Sequence, residues 1–92
     1  MPKIRWSRSA LEQLELLLQP IAQDDYELAV VIAKRIDNAI HRLSSHPESA
    51  PVFSKYLRRL SIPNLPYSCF YEYAGQYVDI VSIRHDKQNT LQ

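Results

Sequence analysis

The plainest pattern along the chain is an apolar stripe. Ala29, Ile32, Ala33, Ile36, Ala39, Ile40 and Leu43 recur at intervals of three and four, while Lys34, Arg35, Asp37, Asn38 and Arg42 fill the positions between them. Residues so spaced share one side of an α-helix, so the segment predicts an amphipathic helix with one continuous buried face. Asp24-Asp25-Tyr26-Glu27 supplies N-cap residues and first-turn acids, which the helix dipole favours. His46-Pro47 closes the helix, because a residue before proline is pushed out of helical backbone space. Leu11, Leu14, Leu18 and Ile21 mark an earlier helix. Two starts compete for it: Ser7, and Ser9 with Glu12 three residues on, a capping box. Pro20 has no amide hydrogen and clashes with the preceding turn, so this helix is expected to stop or kink near Leu18 to Gln19. The short link between the two predicts an antiparallel helical hairpin.

Elsewhere the period changes to that of strands. Pro2 to Trp6 alternates Ile4 and Trp6 with Lys3 and Arg5 and reads as a brief strand. Tyr56 to Ile62, Tyr67 to Tyr73 and Tyr77 to Ile83 are β-rich runs, separated by Pro63-Asn64-Leu65-Pro66 and by Ala74-Gly75-Gln76. They predict an antiparallel meander. Gly75, the only glycine, is expected to supply the positive φ of the second hairpin. The fold class is therefore α+β in the order β-α-α-β-β-β, with the first strand added at a sheet edge and the helical hairpin packed on one face of the C-terminal antiparallel sheet. With 92 residues, the chain is expected to form one domain over 1–92, since a second core could not be enclosed.

Composition narrows the function classes. A hydrophobic fraction of 46% and a charged fraction of 23% are ordinary for a globular protein. A domain of this size buries only about 60–65% of its unfolded surface, so a partner covering apolar surface would add to its stability. The single cysteine, Cys69, rules out an internal disulfide and fits the cytoplasm. No signal-peptide pattern or membrane-spanning run is visible, so no membrane association is expected. A net charge of +1 leaves weak overall attraction to phosphate backbones, and any nucleic-acid contact would need a local patch.

His41, His46 and His85 are scattered, so no metal site is expected; no glycine-rich phosphate loop or serine-nucleophile elbow is present, and no cofactor is implied. Lys55, Arg58 and Arg59 cluster at the entry to the second strand, and Arg84, His85 and Lys87 cluster just after the last. In a meander the start of the first strand and the end of the third are expected to point the same way, so the clusters form either one shared cationic rim or two sets of solvated strand ends. Tyr56, Tyr67, Tyr71, Tyr73 and Tyr77 fit sheet and core positions better than base-stacking platforms, and Cys69 fits a small buried apolar residue.

Arg59-Leu60-Ser61-Ile62, Leu65-Pro66-Tyr67, Phe70-Tyr71-Glu72-Tyr73 and Val78-Asp79-Ile80-Val81-Ser82-Ile83-Arg84-His85 follow one another in an order that resembles the RelE/ParE toxin superfamily. The hairpin with its initial Ala10 and Leu14 extends the resemblance over nearly the whole chain. It implies the toxin half of a type II toxin–antitoxin pair, with a cognate antitoxin as partner and operator DNA contacted only through that antitoxin. RelE-like members are ribosome-dependent mRNA endonucleases with an arginine after the tyrosine matching Tyr67 and basic or aromatic residues after the last strand. Here Ser68 follows Tyr67, Asp86 stands in a commonly basic place, and the tail Asn89-Thr90-Leu91-Gln92 lacks the usual tyrosine. ParE-like members act by trapping DNA gyrase. The longer hairpin and the Val-x-Ile-x-x-Ile-x-His ending bring this chain closer to that branch, although Lys87-Gln88 replaces the usual arginine after the histidine. The expectation is a gyrase-binding toxin whose target contacts are Lys55, Arg58, Arg59, Arg84, His85 and Lys87. Two alternatives stand beside it. One is an mRNA endonuclease attacking ribosome-bound message, with Arg59, Arg84 and His85 as the cations and imidazole of a metal-free cleavage. The other is a detoxified relative that only binds antitoxin.

Overall fold

Alternating strand residues must place their apolar members against the helical stripe, and the computed structural model, which describes residues 1–88, does this with a four-stranded sheet. The elements are β1 (Lys3–Trp6), α1 (Arg8–Asp24), α2 (Tyr26–His41), a turn of 3₁₀ helix (Arg42–Ser44), β2 (Arg58–Ser61), β3 (Tyr67–Ala74) and β4 (Tyr77–His85), followed by a second 3₁₀ turn at Asp86–Gln88. The sheet order is β1-β4-β3-β2. The predicted α+β class and element order hold, and β1 lies at the expected edge. It runs parallel to β4, however, so the sheet is mixed. Parallel pairing is available because the helical hairpin carries the chain back across the sheet.

From α2, Ile32, Ile36, Ala39 and Ile40 are buried, and Leu43 continues the ridge in the 3₁₀ turn. They share one core with Tyr71, Cys69, Val78, Ile80 and Ile83 of the sheet. Each large aliphatic side chain so enclosed contributes on the order of 1.5–3 kcal/mol. α1 adds Ala10 fully, and Leu14, Leu17, Leu18 and Ile21 in part.

One local expectation changes and two open choices are settled. The helix continues through Pro20 to Asp24 instead of stopping near Leu18 to Gln19. The hydrogen bond that proline removes would have reached Leu16, and both residues are exposed, so the open carbonyl faces water while Ile21 keeps the last turn packed. Asp25 alone joins the helices: its N–H donates to the Ile21 carbonyl at 2.7 Å, and its carboxylate accepts from Leu28 N–H at 3.1 Å. At the other end of α1 the cap is Ser7, not Ser9. The Ser7 hydroxyl accepts from Ala10 N–H at 2.9 Å and donates to the Val81 carbonyl at 3.2 Å, so one residue starts the helix and ties it to β4.

The turns follow their residues. Asn64 has φ 64° after Pro63, and Leu65 N–H donates to the Ile62 carbonyl, which closes a type II turn between β2 and β3. Gly75, at φ 68°, makes the two-residue connection from β3 to β4 as expected.

The strand that matters most for the surface is β4. Its pairing with β3 runs Cys69↔Ile83 and Phe70↔Ser82, then steps to Tyr71↔Ile80, leaving Val81 as an extra residue, a β-bulge. Simple alternation from Val78 and Ile80 would have pointed Ser82 and Arg84 at the core. The bulge instead sends Ile83 inward and turns Ser82 and Arg84 to the face opposite α2.

Replacing Ser7 with alanine should cost about 1 kcal/mol of stability in urea unfolding, as for lost helix caps generally, whereas Ser9→Ala should be nearly neutral. The reverse order would restore the capping box as the true start.

Candidate functional site

The six cations singled out from the sequence do not gather as one group. β2 and β4 both run antiparallel to β3 and hence parallel to each other, so the start of β2 and the end of β4 lie at opposite ends, contrary to expectation. Arg58 sits opposite Tyr71 and His85 opposite Tyr67, four residues of β3 apart, roughly 13–14 Å of strand. Lys55 lies at the far end with Glu72, Tyr73 and Ala74, its ammonium 5.3 Å from the Tyr56 ring. Arg58 is engaged internally. Its Nη1 donates to the carbonyls of Ala50 at 2.7 Å and Glu48 at 3.1 Å, pinning the Pro47–Pro51 connector whose Pro47 carbonyl accepts from the Tyr71 hydroxyl at 2.8 Å.

Arg59 does reach the other cluster. Its Nε donates to the Ser68 hydroxyl at 3.1 Å and its Nη2 approaches Asp86 Oδ1 at 3.3 Å, while Ser68 donates to the same oxygen at 2.6 Å. Ser68 stands opposite Arg84 in the sheet register, so Arg59 and Arg84 flank it from either side on the outer face. Arg84 and His85 belong to β4 itself instead of following it. The Arg84 Nε donates to Ser82, whose hydroxyl donates to Gln13 Oε1 at 3.0 Å. That same amide oxygen accepts from Ile83 N–H at 2.9 Å. Ser68 and Ser82, the buried polar residues among the described residues, thus do one job on the outer face: each accepts from an arginine Nε and donates to an oxygen beyond. His85 packs edge-on against Tyr67, with ring centroids 5.4 Å apart, and its Nδ1 accepts from Lys87 N–H at 3.0 Å. Lys87 is exposed.

Beside these groups runs a groove of about 490 Å³ between α1 and the end of β4, lined by Gln13, Leu16, Leu17, Ile21, Tyr67, Ile83, Arg84 and His85. Leu16 stands on its lip, 69% exposed. Sequence reasoning missed Gln13, Ser82 and the groove, and it read Ser68 only as a departure from the nuclease pattern. The run Leu16-Leu17-Leu18, wider than one core-facing stripe requires, was a signal of apolar surface on a second side of α1. The tail 89–92, where the missing tyrosine was noted, lies outside the described residues.

Away from the groove, Arg5 binds both Asp79 oxygens, at 2.7 and 3.1 Å, and lies over the Tyr77 ring at 3.6 Å. The Arg5 hydrogen bond holds the Asp79 carboxyl below its ordinary range. Among the described residues no three His, Cys, Asp or Glu gather as a metal site would, and no helix is long and apolar enough to cross a membrane.

Known proteins resemble this chain in sequence and in fold. The family model described as ParE toxin of type II toxin-antitoxin system, parDE, matches residues 4–90. The curated protein named Putative toxin Y4kP, from Sinorhizobium fredii, is 31% identical over 87 residues, covering 94% of this chain and 90% of its own. Among solved structures, the chromosomal ParDE TA system from P. aeruginosa superposes with a TM-score of 0.78 at 19% identity, over 92% of this chain and 96% of that one. This chain belongs to the ParE toxin family, the ParE branch of the RelE/ParE superfamily.

Two expectations follow from these environments. Burial pushes the Cys69 thiol up to about 12, so alkylation near pH 8 should proceed only through unfolding and accelerate with urea; a rate like that of a free thiol would place Cys69 at the surface. The Arg5–Asp79 pair contributes stability above the ordinary carboxylate range and loses it as pH falls through the lowered value. Asp79→Asn should therefore lower the urea midpoint at pH 7 and match the parent at strongly acid pH.

Proposed function

We propose that this toxin acts by binding DNA gyrase and is held in check by a cognate antitoxin, both in the cytoplasm. The observation that carries the choice of a protein target over RNA is the Arg59–Ser68–Asp86 network. Metal-free RNA cleavage requires a base for the 2′-hydroxyl, an acid for the leaving oxygen and cations for the phosphorane. In this chain one of the two outer-face arginines already faces a carboxylate, and His85 has one ring nitrogen occupied by a backbone N–H. Arg84 and His85 remain on the lip of a groove that also carries leucine and isoleucine, with Lys87 exposed just beyond β4, which suits a protein surface carrying both acids and apolar side chains. Arg59 contributes through this rim, whereas Lys55 and Arg58 would reach a target only at the other end of the sheet.

The antitoxin reading draws on the same groove. A disordered antitoxin segment folding into an amphipathic helix would bury Leu16, Leu17 and Ile21, and it would contact operator DNA with its remaining part. Its binding would also add stability to a small core by mass action.

Induction of the chain alone in cells, with separate measurement of DNA breakage and of ribosome-bound mRNA, tests the target. DNA damage with intact message is expected; rapid message cleavage with intact DNA would establish the endonuclease instead. Growth unaffected by a folded product would establish the detoxified relative. Arg84→Ala and His85→Ala should each weaken toxicity by about tenfold or more, the scale of a truncated interface residue, while leaving the thermal unfolding midpoint within a few degrees. A collapse of folding in either would show these side chains to be structural.

A further inference from the structure

We propose that Asp86 is an internal counter-anion that closes a paired-arginine oxyanion site, formed by Arg59 and Arg84 around Ser68, against phosphate, and so selects the class of target the rim accepts. Asp86 Oδ1 receives the Ser68 hydroxyl at 2.6 Å and lies 3.3 Å from Arg59 Nη2. A hydroxyl and a guanidinium converging on one oxygen is how proteins hold a phosphate or a carboxylate. The hydroxyl is a fixed part of the fold, since Ser68 is 1% exposed and its oxygen also accepts from Arg59 Nε.

Arg84 supplies the second cation. It faces Ser68 across the sheet, its Nε is bound to Ser82, and it makes no ion pair among the described residues. Its guanidinium is therefore anchored through Nε beside Ser82, on the lip of the groove, and the register with Ser68 is what brings it within reach of an anion held there.

The carboxylate is held in place by its own backbone. Asp86 N–H donates to the Pro66 carbonyl at 2.8 Å, which sets the residue beside Ser68 directly after β4 ends. Its side chain is 38% exposed, so the occupied position is open to solvent and an external anion would compete for it. The carboxylate competes intramolecularly through two charge-assisted contacts, so freeing the site should tighten phosphate binding by about tenfold, the scale of one hydrogen bond to a charged group. The meaning given to this selectivity rests on reading the rim as the target-contacting face; the ion binding itself does not.

The test is titration of the full chain with inorganic phosphate, followed by two-dimensional NMR, against chloride at matched ionic strength. Asp86→Ala should bind phosphate at least tenfold more tightly than the parent, with shifts centred on Ser68, Arg59 and Arg84. Asp86→Asn, which keeps the shape, should show a smaller gain. Adding Arg59→Gln to Asp86→Ala should abolish it. Equal affinity in parent and variants, or a gain that survives Arg59→Gln, would overturn the proposal. Loss of fold in both single variants would overturn it too, by making Asp86 a structural strut. Gyrase inhibition measured on the same proteins separates the two readings. A parent inactive on gyrase removes the proposed target and leaves the phosphate result standing, and the converse holds.

Discussion

The structure depends on one matching requirement: the ridge from Ile32 to Leu43 needs an apolar sheet face along its whole length, and β3 and β4 have to supply it together. Val78 and Ile80 do so with ordinary alternation, which would then deliver Ser82 and Arg84 to the core. Burying an unpaired guanidinium there would cost several kcal/mol. The bulge at Val81 shifts the phase by one residue, so that Ile83 completes the core and the polar pair turns outward. Packing and surface chemistry are thus set by the same irregularity. Ser7 donates its hydroxyl to the carbonyl of that extra residue, which couples the start of α1 to the bulge.

Much of this was legible in the sequence, and the reasons are local. The α2 stripe declares its own partner face because helical spacing and burial are the same fact seen twice. Gly75 and the Pro63-Asn64 pair mark turns whose backbone angles few other residues adopt. The competition between Ser7 and Ser9 could not be settled locally, since what decides it is a carbonyl of β4 far along the chain. Pro20 was misleading for a similar reason: its penalty depends on whether the lost hydrogen bond faces water. The bulge, by contrast, had left a trace. Val78, Ile80 and Ile83 are spaced by two and then by three, a break that an unbulged strand would not carry.

The site was legible residue by residue and illegible as an arrangement. Arg59, Arg84 and His85 stood out by type, and Asp86 by its departure from the nuclease pattern. That Asp86 faces Arg59 follows from register, with Arg59 beside Phe70 and Ser68 beside Arg84, which spacing alone does not reveal. Arg58 shows the opposite outcome. It looked like a surface cation, yet its Nη1 holds two carbonyls, those of Glu48 and Ala50, in a proline-bounded connector.

β1 covers β4 only as far as Ile80. Beyond that point the edge of the strand would stand bare, with an amide and a hydroxyl seeking acceptors, the kind of margin through which chains stack into aggregates. The amide oxygen of Gln13 fills this role, doing with one side chain what a longer strand would do with several residues. Gln13 also lines the groove. Any occupant that drew it aside would have to bring a replacement acceptor of its own, so shape alone is not enough for entry: the visitor must also mend the seam it opens.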